Sequence, residues 1–123
     1  MKLSELFAPR GRGVIATSSA EGVVNVAVYA IPHLVDEKTC AWGMTEGRTH
    51  KNIMENPHAA YLYLNPGGGF SGARLGLRLI KIEESGEMLT LIRKRTAELV
   101  SPHAATLVKH VAYFEVTEVR PLI

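Results

Sequence analysis

The sequence contains a single cysteine, Cys40, so neither a disulfide framework nor a multi-cysteine metal site can form within the chain. A lone cysteine suits a reducing, intracellular compartment. No apolar run approaches the roughly 20 residues needed to span a bilayer. The start, Met1-Lys2-Leu3-Ser4-Glu5, carries an early acid and only a short apolar stretch, unlike a secretory signal. Charge of one sign is also scarce. Lys and Arg number 14 against 12 for Asp and Glu, a net charge of +2, too mild to argue for a nucleic-acid or membrane partner. There is no P-loop and no Gly-x-Gly-x-x-Gly fingerprint, which excludes the usual nucleoside triphosphate and Rossmann cofactor sites. His33, His50, His58, His103 and His110 are too scattered for the short spacings of a metal site. No repeat, low-complexity tract or linker divides the chain. What remains is an ordinary globular composition, 46% hydrophobic and 21% charged over 123 residues. The expectation is one soluble, cytoplasmic domain spanning residues 1–123.

Periodicity gives the elements. Leu3 to Ala8 is compatible with one or two helical turns before Pro9. Gly13–Ser18 and Val23–Ile31 flank the polar turn Ser-Ala-Glu-Gly and read as a hairpin. In the second run Val24, Val26, Val28 and Ala30 share one face, and Asn25, Ala27, Tyr29 and Ile31 the other. Thr39–Thr45 is the next strand. The period then changes over Arg48–Asn56, a short helix ended by Asn56-Pro57. His58–Leu64 and Arg74–Glu83 alternate as strands on either side of the loop Pro66-Gly67-Gly68-Gly69. Met88, Leu91, Ile92 and Leu99 recur at helical spacing. Ser101-Pro102 supplies an N-cap with proline at the first helical position. Val111–Val119 is a final strand. About six mostly consecutive strands, a short helix between them and a helical excursion before the last strand predict a mainly β fold, a small barrel with helices at its ends.

The stretch with most chemical content is Thr45-Glu46-Gly47-Arg48-Thr49-His50-Lys51-Asn52-Ile53-Met54-Glu55-Asn56-Pro57. A strand passes through a glycine into a helix whose first turn carries Arg48, Thr49 and Lys51. The first N–H groups of a helix lack partners, and the dipole there favours an anion. A guanidinium, an ammonium and a hydroxyl in that turn suit a phosphate. The competing reading is a solvated basic helix start, and physics alone leaves the two about even.

With those residues in view, the run from Gly13 to Leu64 resembles the pyridoxamine-phosphate-oxidase-like flavin-binding split barrel. The resemblance rests on the hairpin Gly13-Val14-Ile15-Ala16-Thr17 with Val24-Asn25-Val26-Ala27 and on the strand Cys40-Ala41-Trp42-Gly43-Met44. It continues through Arg48-Thr49, Lys51-Asn52 and Asn56-Pro57 in the family's basic-Ser/Thr, Asn-aliphatic, Asn-Pro order. The length resembles the short bacterial FMN-binding proteins. The resemblance implies a six-stranded split barrel binding FMN non-covalently at a homodimer interface. It implies that Arg48 and Thr49 hold the 5′-phosphate, with Lys51 and Asn52 as helpers. It also lays the isoalloxazine against the main chain of Asn25, Val26 and Ala27 on one strand and Ala41, Trp42, Gly43 and Met44 on another. A flat, mostly apolar ring wants a dry slot with a few directed hydrogen bonds, which agrees with that layout.

The segment Glu118-Val119-Arg120-Pro121-Leu122-Ile123 lacks the Trp and Arg-rich substrate grip of true pyridoxamine-phosphate oxidases, so that activity is not expected. The first functional expectation is an FMN-dependent oxidoreductase passing electrons between small-molecule partners, with the chemistry carried by the cofactor and no catalytic acid or base named. The alternatives are an FMN-binding electron carrier without its own substrate and a flavin-free interaction domain on the same fold. Trp42 reads equally as a flavin neighbour and as core. Cys40 reads as a small buried hydrophobe rather than a redox thiol, His50 as helix surface, and Arg74 and Arg78 as a wet strand face rather than a reach to a partner's phosphate. Arg93-Lys94-Arg95 splays around a helix axis, which favours a solvated surface over a nucleic-acid patch.

Overall fold

The computed structural model describes residues 2–123. Strands β1 (Arg12–Ser18) and β2 (Val24–Ala30) form the first hairpin. The Ser19 Oγ at its turn accepts the N–H groups of Glu21 and Val23, and Gly22 takes the positive φ of 84° that the reversal requires. After β3 (His33–Leu34) and β4 (Thr39–Met44), helix α1 (Arg48–Glu55) crosses to β5 (His58–Leu64). β5 and β6 (Gly72–Glu83) form a second hairpin around the glycine loop, clasped where the Asn65 main chain and side chain both bond Ser71. Helices α2 (Glu87–Leu99) and α3 (Pro102–Leu107) precede β7 (His110–Pro121). All pairings are antiparallel, in the order β2-β1-β5-β6-β7-β4-β3.

The result is a curled half-barrel of seven strands, mainly β with few helices. The sequence reading expects six. The additional strand is β3, only two residues long, paired through His33 with Ala41 and through Leu34 with Cys40. Such a piece is too short to show a period of its own. The expected start of a helix at Ser101-Pro102 is present, with the Ser101 Oγ accepting from the Ala104 N–H. The expected apolar face of the long helix is rotated. Leu89 and Ile92 are buried with Met88 packed beside them, whereas Leu91 and Leu99 are exposed. That helix covers β4 and β7 from outside, through contacts with Ala41, Val111 and Tyr113.

The strand faces follow the alternation. Ile15, Tyr61, Tyr63, Leu75 and Leu77 point into the barrel with Cys40, Trp42, Met44 and Phe114. The opposite face of β2 is apolar but uncovered, with Val24, Val26 and Val28 66–76% exposed. Register extends that patch from Val28 through Val14 to Leu62.

The sheet does not close through a continuous ladder. β2 ends it on one side and β3 on the other, and side chains bridge the gap. The Trp42 Nε1–H donates to the Ala30 carbonyl at 2.9 Å. The Tyr61 hydroxyl lies 3.0 Å from the Tyr29 carbonyl and 2.9 Å from that of Ala30. Trp42 is held by Tyr61 at 4.8 Å and by an edge contact to Phe114 at 5.8 Å.

Replacing Trp42 with Phe, or Tyr61 with Phe, keeps most of the apolar volume and removes one donor, at a cost of about 1 kcal/mol each. The double variant loses more than the sum, because the Ala30 carbonyl then lacks both donors. Thermal melts of the four proteins check this, and simple additivity would refute shared closure.

Candidate functional site

The chain leaves β4 at Met44 and turns tightly, with the Gly47 N–H bonded to the Thr45 carbonyl at 3.0 Å. Gly47 is the N-cap of α1 and has no side chain with which to cap it. The first turn of main-chain bonding begins at the Lys51 N–H, which donates to the Gly47 carbonyl. The N–H groups of Arg48, Thr49 and His50 therefore have no helical acceptor. The turn contains no acidic residue. Arg48 and Lys51 lie three apart on the exposed side, and neither forms an ion pair among the described residues.

The other side of α1 is buried through Thr49, Asn52 and Ile53. The helix runs back along the first hairpin. Thr49 stands beside Tyr29, whose phenol is raised above its ordinary pKa by burial, a rise the Thr49 hydroxyl opposes. The Asn52 Nδ2 donates to the Thr17 Oγ1 at 3.1 Å in the interior. Glu55 accepts the Ala20 N–H at 3.0 Å. Of the residues expected at a phosphate, Arg48 and Lys51 thus face solvent beside unpaired N–H groups, Thr49 points toward β2, and Asn52 spends its amide on anchoring the helix.

The residues expected beside a ring system divide in the same way. Asn25 and Ala27 face inward along α1's side of β2, opposite Thr17 and Ile15, while Val26 faces outward with the exposed valines. On β4 every side chain is covered. Trp42 and Met44 point into the barrel, and Ala41 lies under α2. A Cβ on Gly43 would lie 2.5 Å from Ile92 Cγ2 and 2.8 Å from Val108 Cγ1. Ala41 is paired on both sides, with His33 and Tyr113. Trp42, Gly43 and Met44 are paired only with β7, so their other main-chain edge is open. That edge leads directly into the start of α1, and the Trp42 indole ties it to the end of β2.

One cluster at this rim was not legible in the sequence. The His50 and His110 rings stack at 3.7 Å with 8° between their planes. The Glu46 Oε1 is 3.2 Å from His110 Nε2, and the Glu84 Oε1 is 3.9 Å from His110 Nδ1. Burial, and then the His110 ring, lower the His50 pKa, while Glu46 and Glu84 oppose that shift. The residues are far apart in sequence and meet only because Met44 pairs with His110 across β4 and β7. No group of three or more His, Cys, Asp or Glu among the described residues is arranged to hold a metal.

Other candidates have local roles. Cys40 is fully buried and its thiol is pushed up to about 12, so it is not a reactive thiolate. Arg74 donates to the Pro121 carbonyl and Arg78 pairs with Glu115 on the surface. Arg93 donates to the Val108 carbonyl while Arg95 meets His33 at 2.9 Å, so the basic run does splay. The glycine loop lies at the Leu64 end of β5 and α1 at its His58 end, about 20 Å apart along the strand.

Comparison with solved structures supplies the fold. An FMN-binding protein from Syntrophomonas wolfei superposes with a TM-score of 0.78 at 19% identity, covering 90% of this chain and 76% of that one. An F420 reductase gives 0.70 at 17% identity, covering 94% and 93%. This chain has the split-barrel fold of these proteins. The flavin reductase of styrene monooxygenase from Pseudomonas putida S12 shares the split barrel, with a TM-score of 0.60 at 10% identity over 98% of this chain and 84% of that one. No protein-family model and no curated protein matches the chain. The split barrel has no helix among the described residues long and apolar enough to cross a membrane.

Replacing Gly43 with Ala forces Ile92 and Val108 apart and destabilises the protein by about 1–3 kcal/mol. Val108→Ala in the same chain removes one obstructing methyl and recovers part of that loss. Urea midpoints check both, and an unchanged midpoint for Gly43→Ala would contradict the close approach of α2 to β4.

Proposed function

We propose that this split barrel binds FMN non-covalently and serves as a flavin-dependent oxidoreductase for small-molecule electron donors and acceptors. The observation that carries the reading is the uncapped first turn of α1. It combines unpaired N–H groups with the unpaired cations Arg48 and Lys51 and contains no acid. A phosphate meets both needs of such a turn, hydrogen-bond donors and positive charge. Arg48, Lys51 and the N–H groups of Arg48, Thr49 and His50 would hold the phosphate, and the Thr49 hydroxyl would define its inner limit beside Tyr29. Asn52 serves the same site indirectly, by fixing the helix on Thr17.

The ring system would lie between the inner residues of β2, Asn25 and Ala27, and the open edge of Trp42, Gly43 and Met44. Main-chain N–H and C=O groups there suit the polar edge of a flavin, and the buried Trp42 and Met44 keep the floor dry. Bound FMN supplies hydride and single-electron transfer. The chain's own work is to bind, orient and limit access. A second copy of the chain is the proposed cover for the exposed face of Val24, Val26 and Val28, giving a homodimer with the flavin near the interface. A deazaflavin is the second reading for the cofactor, supported by the likeness to an F420 reductase over nearly the full length of both chains.

An absorption spectrum from 300 to 500 nm, taken after adding FMN and gel filtration, tests the cofactor. Two flavin bands that co-elute with the protein are expected, and a colourless protein under saturating FMN would remove the reading. Arg48→Ala should weaken FMN by roughly 10- to 150-fold, the equivalent of losing about 1.5–3 kcal/mol of charge-assisted bonding. Riboflavin affinity should not change, since riboflavin has no phosphate. For the dimer, light scattering should give twice the chain mass, and Val26→Asp should halve it.

A further inference from the structure

We propose that His50 and His110 form a proton-sharing pair that strengthens anion binding at the first turn of α1 when the pair takes up a proton. The proposal rests on the reading of that turn as an anion site. His110 is a positioning residue here, because it touches Glu46 and His50 rather than the anion.

The geometry is that of a pair with room for one proton. Two neutral imidazoles stack without penalty at 3.7 Å. One imidazolium over a neutral ring is also acceptable, in the manner of a cation on a π face. Two imidazolium rings at that distance repel strongly. His110 is buried, and its Nδ1 is the one buried side-chain polar atom among the described residues without a hydrogen-bond partner. With the ring proton on Nε2 directed at Glu46, Nδ1 is an acceptor facing an acceptor, Glu84 Oε1, at 3.9 Å. Protonation turns Nδ1 into a donor, and a small movement of the exposed Glu84 then completes the bond. With a carboxylate beside each ring nitrogen, both nitrogens are satisfied together only in the charged state.

The charged groups around the pair come from every element that meets it. Glu46 belongs to the turn between β4 and α1, Glu84 to the turn between β6 and α2, and Arg48 and Lys51 to the same helical turn as His50. Lys109 precedes His110, and the β4 partner of His110 is the uncharged Met44. Glu83 is engaged by the Tyr113 hydroxyl at 2.6 Å. Burial and the neighbouring ring hold the His50 pKa below its ordinary value, so its charge is gained on acidification and absent in alkali.

Two effects then favour an anion at low pH. A positive charge is added within the first turn, beside the open N–H groups. The negative charge of the Glu46 carboxylate, one residue before the N-cap, is offset by the charge on the His110 ring it meets.

Sulfate tests this without flavin, because its charge is constant between pH 6 and pH 8. Titrating sulfate into the full chain and following the amide signals of Arg48, Thr49 and His50 should give binding about threefold tighter at pH 6 than at pH 8. His110→Gln keeps a donor for Glu46, removes one of the causes that lower the His50 pKa, and should move the rise in sulfate affinity to higher pH while sulfate still binds. Glu84→Gln removes the exposed carboxylate beside His110 Nδ1 and should weaken the pH dependence of sulfate binding. Equal sulfate affinity at both pH values, amide signals unmoved by sulfate, or a pH dependence unchanged in His110→Gln would each overturn the proposal. A colourless protein with pH-dependent sulfate binding would instead reject FMN and retain the pair.

Discussion

Closure of the curled sheet by side chains, in place of a hydrogen-bonded ladder, is the constraint from which the rest of this molecule follows. β2 and the short β3 leave an opening that Trp42 and Tyr61 span by bonding the carbonyls at the end of β2. A fully paired barrel would have no unpaired main-chain edge on its wall. Here one remains along Trp42, Gly43 and Met44, and the interior beside it stays dry because the bridging side chains are large and aromatic. Stability and an exposed polar edge are therefore obtained at the same place.

Helix α1 completes that arrangement. It is fixed along the first hairpin by bonds from Asn52 to Thr17 and from Ala20 to Glu55, with Thr49 beside Tyr29. Its start is left open, since a glycine N-cap offers nothing to the first N–H groups. The cations of the first turn work against the helix dipole. That conflict, at the mouth of an open strand edge, is the one the proposed phosphate would relieve.

Much of this was legible in the sequence, and the reasons are local. Tyr61 and Tyr63 alternate with Leu62 and Leu64, and Leu75 and Leu77 with Arg74 and Arg78, so the two faces of each strand could be separated from period alone, while which face turns inward is set by the packing. Asn56-Pro57 and Ser101-Pro102 marked helix boundaries through chemistry that does not depend on tertiary contacts. Three features escaped. β3 has two residues and exists because β4 offers it an edge. The buried face of α2 is set by where β4 and β7 lie, and Leu91 and Leu99 fall outside it although their spacing is right. The stacked histidines meet through the register of β4 on β7, a long-range pairing that no short window contains.

The covering of β4 on both faces has a consequence for how such a site changes over evolutionary time. With Trp42 and Met44 turned inward and Ala41 and Gly43 roofed by α2, a molecule lying along this strand meets peptide groups, not side chains. Peptide groups are the same in every protein. Substitutions on this wall are therefore judged by whether the barrel still closes and the roof still fits, not by what is recognised. Any binding along this edge would persist while the residues that frame it are exchanged, and the surface can be recognised from the path of the backbone long after the identity of its side chains has drifted.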